Sequence, residues 1–158
     1  MSLTSEVEAL RAADAAAVVA VNLSGSEHVN NVYGNAGANI VNGRGGVDQL
    51  WGYGGNDTFV FNNIAEAGDR IADMSLGNDI IQMDNAGFGP GVGTGSLAVA
   101  GVMFEIGTRA TTANETLFYN QTTDRIYWDA DGSGAGAAIQ LAFIANGAAI
   151  AADDFIFV

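Results

Sequence analysis

Four oxygen-bearing side chains recur every nine residues in the first part of the chain: Asn30, Asn39, Asp48 and Asp57. A glycine opens each copy (Gly25, Gly34, Gly43, Gly52), and a large apolar residue holds the eighth position (Val32, Val41, Leu50, Phe59). Glycine also holds the fourth position in three copies (Gly37, Gly46, Gly55), with His28 there in the first. Amide and carboxylate oxygens beside glycine-freed carbonyls form a set of hard donors. Such a set suits Ca²⁺, which takes six to eight oxygen ligands in irregular geometry. Zinc fits poorly, because the chain has no cysteine and one histidine. Magnesium keeps its waters and suits the set less well.

Positioning these donors requires an element with the same period. A nine-residue unit is too small to bury its own core, so tandem copies predict a solenoid in which each turn packs on its neighbours. The glycines permit tight turns with inward carbonyls. The eighth position falls on a short strand and points inside, so stacking lines up one apolar row. In a coil of two strands per turn, the same edge recurs every two repeats. Asn30 should therefore stack near Asp48, and Asn39 near Asp57.

The nonapeptides resemble the glycine- and aspartate-rich repeats of the repeats-in-toxin (RTX) family, which implies a calcium-binding parallel β-roll. The family prefers aspartate at the sixth position and glycine at the second. Here Asn30 and Asn39 replace aspartate, and Asn35, Arg44 and Tyr53 replace glycine. Fewer ligand charges imply a weaker site at Asn39 and none at the turn holding His28 and Asn30. Asp69 to Ile81 resembles the segment following the repeats in serralysin-type proteases and related secreted proteins, and Leu117–Tyr119, Arg125–Gly134 and Asp154–Val158 resemble their C-terminal block. That resemblance implies that Asp73 and Asp79 complete a site with the turn of Gly43, Gly45 and Asp48. The candidate metal ligands are thus Gly34, Ala36, Asn39, Gly43, Gly45, Asp48, Gly52, Gly54, Asp57, Asp73 and Asp79. It also implies type I (ABC-transporter) export, an extracellular destination and a C-terminal signal ending Asp153-Asp154-Phe155-Ile156-Phe157-Val158.

Composition agrees with these expectations. The 158 residues suffice for one domain. A net charge of −13 with no lysine argues against nucleic acid or an anionic membrane surface as partner. Bound cations would relieve the self-repulsion, so folding is expected to depend on calcium. Without cysteine, metal rather than disulfide is expected to staple the domain. No N-terminal signal peptide is evident, and no segment is long enough to span a membrane.

The expected architecture is all-β, in three parts of one continuous domain. Residues 1–24 supply a capping helix, opened by Ser5-Glu6-Val7-Glu8 and running to about Ala17, then a lead-in strand at Val19, Val21 and Leu23. Residues 25–60 form the β-roll. Residues 61–158 form an antiparallel block: strands at Asp69–Met74 and Asp79–Met83, an apolar strand over Leu97–Ile106, and a meander of Thr116–Asn120, Arg125–Asp129 and Ala137–Ile144. Asp129 and Asp131 read as a tight turn, since the helix–loop–helix calcium pattern lacks its third acid and distal glutamate. Gly89 to Ser96 reads as a loop rather than a phosphate cradle. His28 has no nucleophile near it in sequence, and Trp51, Tyr53, Tyr119, Tyr127 and Trp128 read as core or cross-strand aromatics.

The functional expectation is a non-enzymatic calcium-binding domain that folds outside the cell and carries an export signal. An upstream effector domain is a candidate partner. The alternatives are an adhesive or carbohydrate-binding module, or the non-catalytic end of a secreted hydrolase or epimerase.

Overall fold

The computed structural model describes residues 9–75 and 77–158. Fourteen strands follow in chain order among them: β1 (Ala9–Arg11), β2 (Asn22–Ser24), β3 (Asn31–Asn35), β4 (Ile40–Asn42), β5 (Gln49–Tyr53), β6 (Thr58–Phe61), β7 (Asp69–Ile71), β8 (Ile80–Met83), β9 (Gly95–Ser96), β10 (Met103–Ile106), β11 (Thr116–Asn120), β12 (Arg125–Asp129), β13 (Ile139–Ile144) and β14 (Phe155–Phe157). A single helical turn, α1 (Leu97–Ala100), precedes β10.

The first eight strands wind as a parallel roll. Odd strands build one sheet in the order β1-β3-β5-β7, and even strands the other in the order β2-β4-β6-β8. Register advances by 18 residues per winding: Val32 opposes Leu50, and Val41 opposes Phe59. These eighth-position side chains are fully buried, as the alternation requires. The fourth position shows why glycine is needed there. Gly46 (φ 107) and Gly55 (φ 105) lie in the left-handed region, and a Cβ on either would strike the backbone of the preceding winding.

The remaining strands extend both sheets. β13, β12, β11 and β10 continue the first from β7, and β14 and β9 continue the second from β8. One core therefore runs from Val32 through Ile71 and Ile81 to Trp128, Leu141 and Phe157. The block is mixed rather than purely antiparallel. β11–β12, β12–β13 and β14–β9 are antiparallel, whereas β13–β7, β14–β8 and β10–β11 are parallel.

Three local expectations are corrected. Residues 9–11 form a strand, not a helix; Ser5 to Glu8 lie outside the described residues. Parallel pairing of Ala9–Arg11 with Asn31–Tyr33 supplies the backbone hydrogen bonds, and Leu10 packs against the core. The strands β7 and β8 are not a hairpin. They lie in opposite sheets and add a further winding beyond the nonapeptides. Leu97–Ile106 is split, because Gly101 (φ 83) closes a helical turn before β10 begins. The meander follows the expected segments closely.

The aromatics resolve into two groups. Tyr119 and Trp128 are buried. Trp51 instead stacks across strands on Tyr33, with ring centroids 4.4 Å apart, and Arg11 and Arg70 cover the two ends of that pair.

Candidate metal centre

The oxygen donors stand in two columns, one on each edge of the roll. On one edge, Asp48 Oδ1 accepts from the Asn30 N–H at 2.6 Å, and Asp69 Oδ1 accepts from the Asp48 N–H at 2.8 Å. On the other, Asp57 Oδ1 accepts from the Asn39 N–H at 2.8 Å, and Asp79 Oδ1 accepts from the Asp57 N–H at 2.8 Å. Asp48, Asp57, Asp69 and Asp79 thus each cap the turn wound before them. The pairings Asn30–Asp48 and Asn39–Asp57 are those the 18-residue spacing predicts.

The place of Asp73 and Asp79 is corrected. They do not join the turn of Gly43, Gly45 and Asp48. Asp79 stacks on Asp57, and the Asp73 carboxylate accepts from the N–H groups of Gly52 (3.0 Å) and Tyr53 (2.9 Å). Beside Asp48 stand Asp69 and Glu66, neither of them expected. A Cβ on Gly43 would meet carboxylate oxygens of both Asp48 and Asp69, so that glycine floors a shared recess. Glu66 Oε2 accepts from the Asn62 N–H at 2.8 Å, which closes the adjoining turn. Asp48, Glu66 and Asp69 are all buried.

The third-position residues Ala36, Gly45 and Gly54 lie in the same turns, between the first-position glycines and the sixth-position side chains. A Cβ on Gly54 would meet only Ala36 of the winding before, whereas one on Gly45 would strike the Glu27 carboxylate of the winding before. A Cβ on Gly52 would overlap the Asp57 carboxylate, and one on Gly34 would press on the Gly52 carbonyl and the Asn39 amide.

The sharpest test of fit lies at Asn39. Its Nδ2 stands within hydrogen-bonding distance of four oxygens: Asn35 O (2.9 Å), Gly37 O (2.5 Å), Gly52 O (3.1 Å) and Asp57 Oδ1 (2.9 Å). An amide NH₂ has two hydrogens and cannot serve four acceptors. Meanwhile Asn39 Oδ1 is buried without a partner. Turning the amide over exchanges the two atoms and leaves five oxygens converging, which only a cation would stabilise. On the other edge, Asp48 Oδ2 is likewise buried without a partner. A buried carboxylate oxygen with no donor costs free energy unless a proton or metal meets it. Both observations fit a hard divalent cation. Among the described residues no three acidic or histidine side chains converge closely enough to hold an ion by themselves. Backbone carbonyls must therefore supply much of any shell, as Asn35, Gly37 and Gly52 do around Asn39.

The electrostatics point the same way. Burial, helped by the neighbouring Asp48 and Glu66 charges, pushes the Asp69 carboxyl up to about 8. Burial likewise pushes Asp48 up to about 6. Asp57, Asp73 and Asp79 are all raised, again chiefly by burial. Their backbone hydrogen bonds oppose that shift without cancelling it.

Glu66 and Asp69 escape the sequence pattern because the period lengthens. The steps Asp48→Asp69 and Asp57→Asp79 are 21 and 22 residues instead of 18. An acidic residue just before the next apolar strand was the available signal.

Residues 24–59 match the family model of the RTX calcium-binding nonapeptide repeat, in four copies. Among curated proteins no sequence matches. Among solved structures, the chain is similar to the solution structure of the AlgE6R3 subunit from the Azotobacter vinelandii mannuronan C5-epimerase. Identity is 20%, coverage is 86% of this chain and 77% of that one, and the TM-score is 0.28. A likeness of that degree bears on neither activity nor substrate. Among the described residues no helix is long and apolar enough to cross a membrane. Residues 24–59 thus carry four RTX calcium-binding nonapeptide repeats, wound as a parallel β-roll.

Proposed function

We propose that this domain couples calcium binding to folding outside the cell and that its last strand belongs to a type I export signal. The observation that carries the first half is the oxygen cage at Asn39, with the unpartnered Asp48 Oδ2 on the opposite edge. When bound, calcium supplies positive charge between stacked turns. Asn35, Gly37, Asn39, Gly52 and Asp57 would hold it on one edge, and Asp48, Asp69 and Glu66 on the other. Asp73 and Asp79 add negative charge next to Asp57. Where calcium is scarce, these buried carboxylates repel one another and the roll is poorly stabilised. At millimolar calcium, the folded state gains stability as the ion exceeds its dissociation constant.

The export half rests on the resemblance of the C-terminal segment, and the fold adds a constraint. Phe155 and Phe157 are buried, and β14 pairs with β8 and β9. Asp154 is buried too, and its Oδ2 accepts from the Ala151 N–H at 2.9 Å. A transporter could read this segment only before the domain closes. Low cytosolic calcium would keep it open, and extracellular calcium would close it after passage. The type I machinery and an upstream effector domain are the partners this reading names. The domain itself is read as non-catalytic, with any enzymatic activity belonging to that upstream domain.

Circular dichroism against calcium, with magnesium as control, tests the coupling. A calcium-specific gain in β signal or melting temperature supports it, and equal responses to both ions contradict it. For export, a reporter fused ahead of the chain should reach the medium of cells with type I machinery. Removing residues 153–158 should abolish that, and undiminished secretion would refute the signal.

A further inference from the structure

The loop joining β12 to β13 carries a second concentration of oxygen, remote in sequence from the repeats. Asp129, the last residue of β12, is 6% exposed, and its Oδ1 is buried without a partner. The N–H groups of Asp131 and Gly132 face its carboxylate, which contacts the Asp131 carboxylate. Asp131 is fixed in turn, since its Oδ2 accepts from the Gly136 N–H at 2.9 Å. Gly132 (φ 57) packs against the carbonyls of Thr112 and Asn114, where no Cβ would fit. Ser133 donates its N–H to Thr112 O at 2.5 Å. The loop is thereby pinned to the chain before β11.

Two carboxylates held together need either a shared proton or a cation between them, and a proton shared with Asp131 still leaves Asp129 Oδ1 without a partner. Arg109 lines the mouth of the adjoining cavity but is exposed, and Asp129 Oδ1 takes no bond from it. The oxygen-bearing residues fall at alternate positions: Asp129, Asp131 and Ser133. That alternation is how a calcium loop presents its first three ligands. Asp129 and Ser133 open on a cavity of about 600 Å³ that Thr108 and Thr111 also line. Water can enter there to complete a shell. The missing distal glutamate, which made the sequence read as a plain turn, leaves a site open on one side.

We infer that the β12–β13 loop is a separate divalent-cation site of the calcium class, held by Asp129 Oδ1, the Asp131 carboxylate and Ser133 Oγ, with water on the cavity side. It lies outside the repeats and does not depend on the columns of the roll. It would tie the meander to the loop of residues 108–114.

The test is the number of calcium ions bound at saturation, by equilibrium dialysis with excess magnesium present. Wild type is compared with Asp129→Asn and Asp131→Asn, each checked for unchanged far-ultraviolet circular dichroism. Each variant should bind one ion fewer than wild type. Should Asp129→Asn fail to fold, Asp131→Asn decides, because that side chain is exposed. A full complement of ions in either folded variant overturns the site. The roll is probed separately by Asp57→Ala, so failure here leaves the reading of the repeats standing.

Discussion

Stability without calcium should fall as pH rises, opposite to the usual behaviour of a protein rich in acidic turns. The perturbation is chelation combined with a pH series from 5.5 to 8. Every shifted carboxylate of the two columns is raised: Asp48 to about 6, Asp69 to about 8, and Asp57, Asp73 and Asp79 in the same direction. A carboxylate whose folded pKa exceeds its unfolded value binds its proton more tightly when folded. Its contribution is fully present below the unfolded value and is lost as pH climbs through the folded one. At 1.36 kcal/mol per unit, Asp69 loses about 3 kcal/mol between pH 5.5 and 8, and Asp48 adds less than about 1. Solvent screening across the turns reduces the sum to about 2 kcal/mol. For a chain of this size that is a drop of about 4–8 °C in melting temperature. Thermal melts by circular dichroism in chelator at pH 5.5, 6.5 and 8 measure it. Saturating calcium should remove the decline, because the same carboxylates then face a cation. A chelated domain equally stable or more stable at pH 8 than at pH 5.5 would refute the reasoning.

Proton release follows from the same groups: adding calcium at pH 7 in weak buffer should liberate protons, chiefly from Asp69, and a Glu66→Gln, Asp69→Asn double variant should release fewer. Asp57→Ala should blunt the calcium-dependent rise in melting temperature far more than Asp124→Ala. Asp124 sits in a hairpin turn (φ 54) and accepts from the Tyr119 hydroxyl at 3.0 Å, so its loss should cost about 1 kcal/mol with or without calcium. Arg44 (φ 67) and Tyr53 (φ 70) hold left-handed conformations at the second position of their turns. Arg44→Gly and Tyr53→Gly should each stabilise the calcium-bound domain by up to about 1 kcal/mol, read as a higher midpoint in urea. Phe157→Ala should cost about 3–5 kcal/mol, since that ring is buried against Phe88 and Trp128.

The sequence made the roll legible because its constraints are local and repeated. A glycine at a forced positive φ, an apolar residue at the eighth position and an oxygen at the sixth recur in register, so the columns follow from counting. The meander was legible because β11, β12 and β13 are short runs rich in β-branched and aromatic residues bounded by turn residues. Other features depended on tertiary context. Ala9–Arg11 lies in an alanine-rich stretch that favours helix by propensity, yet the open sheet edge beside Asn31–Tyr33 recruits it as a strand. Glu66 and Asp69 were hidden by inserted residues that break the period while preserving the stack. Asp73 and Asp79 were assigned to the wrong edge for the same reason. Asp129 looked like a turn residue because nothing in its spacing reveals that one of its oxygens is buried without a donor.

The most direct measurement is a crystal structure grown in millimolar calcium, with anomalous scattering used to identify the ions. Calcium should lie between the Gly34–Asn39 and Gly52–Asp57 turns, with Asn39 Oδ1 turned inward. A second ion should lie beside Asp48 Oδ2 and Asp69. Turns that kept the present amide orientation and held only water at both places would contradict the account.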